Sequence, residues 1–158
     1  MDLHDSIGLA MLLYPIFLDL TGRPVLVVGA GRVGLRKTRG LLEAGAEVTV
    51  VAPRCDAAFE SLPVRWLPRR FRKSDLCGRA LVFAATDDRK VNHRVRQEAQ
   101  RLGIPANVAD AAGECDFLVP ARLRSGDLQI AVSTSGRSPR LAAELRRKLE
   151  RMLRAHKV

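Results

Sequence analysis

Aromatic side chains are scarce: one Trp, one Tyr and five Phe make up only 4% of the 158 residues. That is too few for the stacking platforms on which single-stranded nucleic acid is held. Cysteine is equally thin. Cys55, Cys77 and Cys115 are odd in number, widely spaced and without a CxxC pair, which excludes a disulfide framework and fits free thiols in a reducing compartment. His4, His93 and His156 are scattered as well, so no structural metal is expected. No apolar run approaches the roughly 20 residues of a membrane-spanning helix, and no membrane partner is expected. The first 13 residues carry Asp2 and Asp5 where a secretory signal has basic residues. That stretch reads as a leader or frayed end of a cytoplasmic protein.

Acidic residues are also in deficit, 17 Asp and Glu against 27 Lys and Arg, for a net charge of +10. Such a balance predicts anionic partners. From Arg137 onward eight basic residues face Glu144 and Glu150, leaving +6 in that tail alone. A second cluster holds Arg65, Arg69, Arg70, Arg72 and Lys73. Charge runs of this kind are ordinarily solvated faces. Without aromatics or a recognition motif they do not make a nucleic-acid binder.

What the chain does have is hydrophobic content, 47% of its residues, and one organising stretch from Pro24 to Ala52. The apolar run Val25–Val28 leads into Gly29-Ala30-Gly31-Arg32-Val33-Gly34, then a helical pattern, then a second apolar run, Val48–Val51. Strand, glycine turn, helix and strand is the context that makes G-x-G-x-x-G a dinucleotide fingerprint. Gly29 serves the tight turn, Gly31 the close approach of a pyrophosphate, and Gly34 the packing of helix on strand. The acidic residue expected at the end of the second strand is missing, for the sequence there reads Ala52-Pro53-Arg54. Arg54 as a ligand of a 2′-phosphate and backbone groups around Pro53 as ribose ligands both fit, so the spacing accommodates NAD and NADP alike.

In order, Tyr14–Leu20 alternates loosely enough for a short entry strand, and helix one spans about Arg32 to Ala44 with Gly45 as its stop. Further strands are expected at Val64–Leu67, Ala80–Ala85 and Ile104–Val108. Between the last two lies a helix from about Arg89 to Leu102, with Asp87 or Asp88 as its N-cap. The pattern predicts an α/β fold, a Rossmann-like doubly wound parallel sheet over residues 14–112. Over 113–158 the texture changes. Phe117–Leu123 and Leu128–Ser133 flank Arg124-Ser125-Gly126-Asp127, a hairpin signal. These strands extend the sheet or pair with another chain. Ser138 and Pro139 then open a basic amphipathic helix with Leu141, Leu145, Leu149 and Met152 on one face.

Several blocks together, YPIFLDL, VLVVGAGRVGLRK, LLEAGAEVTVVAP, FAATDD with Val91-Asn92, NVAD, DFLVPA and AVSTSGRSPRLAAELRRKLE, resemble the amino-terminal part of siroheme synthase. They resemble equally the stand-alone precorrin-2 dehydrogenase/sirohydrochlorin ferrochelatases. The resemblance spans roughly Tyr14 to Leu153. It implies NAD-dependent oxidation of precorrin-2, a tetrapyrrole, to sirohydrochlorin, with Fe2+ insertion in several members, and it implies a homodimer whose dimerisation region follows the Rossmann domain. It sets NAD around Gly29, Gly31, Arg32, Val33, Gly34, Pro53, Arg54 and Thr86, and favours NAD over NADP. It makes Asp110 the acid/base residue and sets Thr134 where relatives carry a Ser or Thr near the active site; Asn107, Ser133, Ser135 and Arg137 are candidate substrate contacts beside them. The helical carboxy-terminal domain of longer relatives has no counterpart before Val158, so NAD binding with weak turnover, and a still weaker chelatase, is the expectation.

The residues themselves suit that chemistry. Removing a hydride and a proton from a polycarboxylate needs a nicotinamide at the crevice and a carboxylate nearby, and Asp110 follows the last parallel strand at that edge. At its position alone, an Asx-turn or cap serves as well. Arg122, Arg124, Arg137 and Arg140 suit substrate carboxylates or plain surface charge. Ser133, Thr134 and Ser135 suit a carboxylate or the turn before the last helix. Cys115, a lone thiol near Asp110, reads as packing. A rival from another class, a non-catalytic NAD(H)-sensing module, has no use for the FLVPA and STSGRSP blocks.

Overall fold

Val25, Leu26, Val27 and Val28 are all 2% exposed or less. Successive side chains of a strand point to opposite sides, so this requires a sheet covered on both faces. The computed structural model describes residues 13–155, and the expected leader lies, apart from Leu13, outside them. Five strands form one parallel sheet in the order β3-β2-β1-β4-β5. They are β1 (Pro24–Val28), β2 (Glu47–Val51), β3 (Arg65–Leu67), β4 (Leu81–Ala84) and β5 (Ala106–Val108).

Helix α1 (Arg32–Glu43) returns the chain from β1 to β2, and α2 (Arg89–Arg101) from β4 to β5. Val25 and Val27 join Val50, Phe83 and Leu41 of α1 in one core. Leu26 and Val28 join Val82 with Val95 and Ala99 of α2 in the other. The two helices thus cover opposite faces, the doubly wound arrangement. Each buried Val or Leu contributes about 1.5–3 kcal/mol. The winding reverses between β1 and β4, and there the C-terminal strand ends open a crevice.

Local differences have physical causes. Tyr14–Leu20 forms no strand. At its end the Asp19 carboxylate accepts from Thr21 N–H and begins a turn. β5 begins at Ala106, not Ile104, because Pro105 has no N–H for the ladder. The unit also runs past residue 112, to Phe117. Asp116 and Ala106 exchange hydrogen bonds, and the Phe117 ring meets Phe83 edge-on at 5.4 Å between centroids.

A second unit contains residues 118–155. β6 (Ala121–Ser125) and β7 (Leu128–Val132) pair antiparallel as a sheet of their own, not as an extension of the parallel one. Ser125 faces Leu128, so the turn is Gly126-Asp127, with Gly126 at φ +57°. α3 (Pro139–Ala155) packs on both strands and starts where Leu141 N–H donates to the Ser138 hydroxyl. Its apolar residues divide: Ala142 is buried, whereas Leu141, Leu145 and Met152 are exposed. No helix among the described residues is long and apolar enough to cross a membrane.

Candidate functional site

A cavity of 1060 Å³ opens beside the C-terminal ends of β1, β2, β4 and β5. The glycine loop forms one wall, and its three glycines do different things. Gly29 has φ +107°, and a Cβ there would overlap the Ala85 carbonyl oxygen and lie 2.6 Å from its carbon. Gly34 does not line the cavity; a Cβ on it would strike the Gly29 carbonyl, so it holds α1 against the turn. Gly31 is the N-cap of α1, in extended conformation, and a Cβ there would meet nothing within 4 Å. Protein packing does not demand that glycine. No side chain caps the start of α1 and no acid sits in its first turn. Free N–H groups, a positive helix end and open approach at Gly31 make a fitting cradle for a pyrophosphate.

Past β2, Ala52, Pro53 and Arg54 line the cavity, as Arg32 and Val33 do across from them. Asp56 lines it too, but its carboxylate accepts from Ala58 N–H and its own N–H donates to Ala30 O. Sequence reading missed Asp56, Arg70 and Phe71 here, and Arg94 of α2, all of which line the cavity. Arg70 and Phe71 follow β3 at the same edge as the other strand ends, and that position was the available signal.

The opposite wall is built around Asn92, which is fully buried on α2. Its Oδ1 accepts from Thr86 N–H at 3.1 Å and from the Thr86 hydroxyl at 2.7 Å. Its Nδ2 donates to Thr86 O at 3.0 Å and to Asp110 Oδ1 at 3.2 Å. Asp88 is the N-cap of α2, accepting from Lys90 and Val91 N–H, while Asp87 lines the cavity. The Asp110 carboxyl lies at the cavity edge, 42% exposed, with its second oxygen 3.8 Å from Arg89 Nε. Arg89 also pairs with Glu114. That guanidinium holds the Glu114 carboxyl below its ordinary value, with His93 as a further partner.

Asn107 departs from expectation. It is 4% exposed and absent from the cavity wall. Its amide turns inward, accepting from Lys37 Nζ at 2.9 Å and donating to Phe117 O at 2.9 Å. Those bonds tie β5 to α1 and to the segment that follows it. Cys115 is held by Val108 N–H and the Val108 carbonyl, and burial raises its thiol pKa. In the other unit the Ser133 hydroxyl accepts from Ser135 N–H, and the Thr134 hydroxyl from Ser138 N–H. Ser135 takes φ +52° and Arg137 is exposed. Among the described residues no group of three His, Cys, Asp or Glu could hold a metal ion.

Residues 16–121 match a family model described as "Putative NAD(P)-binding", and residues 125–152 one described as "Sirohaem biosynthesis protein central". Siroheme synthase 1 of Aeromonas salmonicida is 44% identical over 146 residues, covering 90% of this chain and 31% of that protein. Siroheme synthase of Methylococcus capsulatus is 46% identical over 140 residues, covering 86% and 30%. The chain therefore spans less than a third of the length of these relatives. Among solved structures, SirC, a precorrin-2 dehydrogenase, is similar with a TM-score of 0.72 and 32% identity, over 87% of this chain and 69% of that one. With matches of this extent, the chain belongs to the family described as "Putative NAD(P)-binding", and it is similar both to siroheme synthases and to the precorrin-2 dehydrogenase SirC.

Proposed function

We propose that the chain oxidises precorrin-2 to sirohydrochlorin with NAD+. The observation that carries this reading is the meeting, on one 1060 Å³ cavity, of the Gly29–Gly34 cradle and the half-exposed carboxyl of Asp110. Support also comes from the likeness to SirC and to the siroheme synthases. In this reading the N–H groups opening α1 bind the pyrophosphate, Pro53 and Arg54 border the adenosine ribose, and Thr86 lies along the cofactor. Bound there, the nicotinamide supplies a hydride acceptor. Asp110 takes the proton that leaves as conjugation extends, and Arg89 steadies its carboxylate. Two electrons and one proton leave as hydride and a second proton goes to the carboxylate, so the step balances.

Ser133, Thr134, Ser135 and Arg137 are proposed to receive substrate carboxylates. Fe2+ enters the proposal as a second substrate that displaces two pyrrole N–H protons, which Asp110 accepts one at a time, releasing the first to solvent before it takes the second. A homodimer is supported by the exposed Leu141, Leu145 and Met152 on α3, and a reducing cytoplasm suits three free thiols. The test is anaerobic incubation with NAD+ and precorrin-2, read by the sirohydrochlorin spectrum. Product should form with NAD+ in preference to NADP+, and Asp110→Asn should abolish it with NAD+ affinity unchanged. Cofactor binding without any product would instead mark a sensing module.

A further inference from the structure

Thr86 follows β4 and Asp110 follows β5, and both loops border the cavity. Among the described residues it is Asn92 that joins them by hydrogen bonds. An asparagine side chain has two donor hydrogens and one carbonyl oxygen with two lone pairs. All four are used here: both lone pairs on Thr86 N–H and hydroxyl, one hydrogen on Thr86 O, the other on Asp110 Oδ1. The amide is 0% exposed, although three of its four bonds go to a loop bordering open space. A buried amide with every bond made has one orientation, because turning it over would set Nδ2 against Thr86 N–H and Oδ1 against the Asp110 carboxylate. The helix dictates where it sits. Asp88 caps α2, so Asn92 falls one turn in, facing the strand ends.

We propose that Asn92 is a positioning residue that ties the cofactor-side loop at Thr86 to the carboxylate of Asp110, fixing hydride acceptor and proton acceptor relative to each other. The inference rests on the proposed role of Asp110 as the proton acceptor. Asn92 touches neither substrate nor cofactor; it acts through the two residues it holds. Arg89 is the other partner of Asp110, but at 3.8 Å and about half exposed it supplies charge more than direction. Directional control therefore falls to the amide.

Asn92→Asp keeps an oxygen for Thr86 N–H and hydroxyl but replaces Nδ2, the donor to both Thr86 O and Asp110, by a second carboxylate oxygen, so the charge repulsion falls on Asp110 while Thr86 keeps two of its three bonds. The expected result is a kcat at least about tenfold lower, as for a lost hydrogen bond to a charged group, with the NAD+ dissociation constant changed less than about threefold. Combining it with Asp110→Asn rebuilds the pair in reverse, carboxylate at 92 and amide at 110. The double variant should regain part of the Tm lost by Asn92→Asp, the Thr86 carbonyl remaining without its donor, while producing no sirohydrochlorin. A purely structural Asn92 would lower Tm, kcat and NAD+ affinity together. Additivity, a wild-type kcat in Asn92→Asp, or a double variant no better folded than the single one would each overturn the inference. A non-additive Tm cycle in a protein that yields no product would sink the dehydrogenase reading while leaving the tie between residues 92 and 110 intact.

Discussion

At the scale of single residues the glycine loop separates folding from binding. Gly29 needs its hydrogen twice over, for φ +107° and for the Ala85 carbonyl pressed against it. A left-handed backbone costs an L-residue about 1–2 kcal/mol before any clash is counted. Gly29→Ala should therefore lower Tm sharply. Gly31 has φ −87° and nothing within 4 Å of a built Cβ. Gly31→Ala should keep Tm within the small penalty of alanine at an N-cap, about 1 kcal/mol at most. It should nevertheless weaken NAD+ binding by about tenfold or more, since the methyl group would stand where the pyrophosphate approaches. Calorimetric titration and thermal melts read both. A Gly31→Ala protein that binds NAD+ as the wild type does would remove the cradle from the argument. The fingerprint was legible because glycine is informative wherever it appears. The inward turn of the Asn107 amide was not legible, because its partner Lys37 is distant in sequence and no local pattern announces it.

At the scale of elements, hydrophobic runs and caps carried most of the information. Asp88 at the start of α2, Ser138 at the start of α3 and Gly126 in the hairpin are short-range signals, and each element stands where its signal lies. The link between β3 and β4 was opaque, being a basic loop without periodicity. What orders it is a single carboxylate. Asp75 is 7% exposed, accepts from Arg72 N–H at 2.8 Å, and takes a two-pronged contact from Arg69 at 2.6 and 2.9 Å. Arg79 Nε donates to its carbonyl while Arg79 also reaches the Thr49 hydroxyl on β2. Burial pushes the Asp75 carboxyl up, but Arg69 and the Arg72 N–H outweigh it, so the pKa lies below the ordinary 3.8. A depressed carboxyl binds its proton more readily in the unfolded chain. Its stabilisation is thus complete above the ordinary carboxylate range and drains away as pH falls through and below about 4. Asp75→Asn should lower Tm at neutral pH and flatten the decline of Tm on acidification. Parallel acid curves for the two proteins would show that Asp75 carries none of it.

For the whole molecule, the parallel sheet and its crevice could be anticipated because α/β units obey strict rules of order and handedness. What covers α3 had no such rule behind it. Three apolar side chains on that helix remain 38 to 59% exposed, on a chain whose net charge of +10 argues against self-association. Two effects therefore compete in the proposed homodimer. Part of the basic charge of α3 is already met within the helix, through Arg146 and Arg154 to Glu150 and Lys148 to Glu144. Exposed pairs of this kind are worth under about 1 kcal/mol each. Apolar area, at about 25 cal/mol per Å² buried, grows with every side chain covered and wins once a few are enclosed. An apolar interface between two cationic chains should tighten as salt rises, because added ions screen the repulsion without weakening the burial. One held by ion pairs would loosen. Sedimentation across a salt series should show the dimer strengthening, and Leu145→Glu with Met152→Glu should yield monomers that still bind NAD+, since the cavity lies wholly within Phe17–Phe117. A wild-type chain that sediments as a monomer at every salt concentration would leave the stripe on α3 without the second copy proposed to cover it.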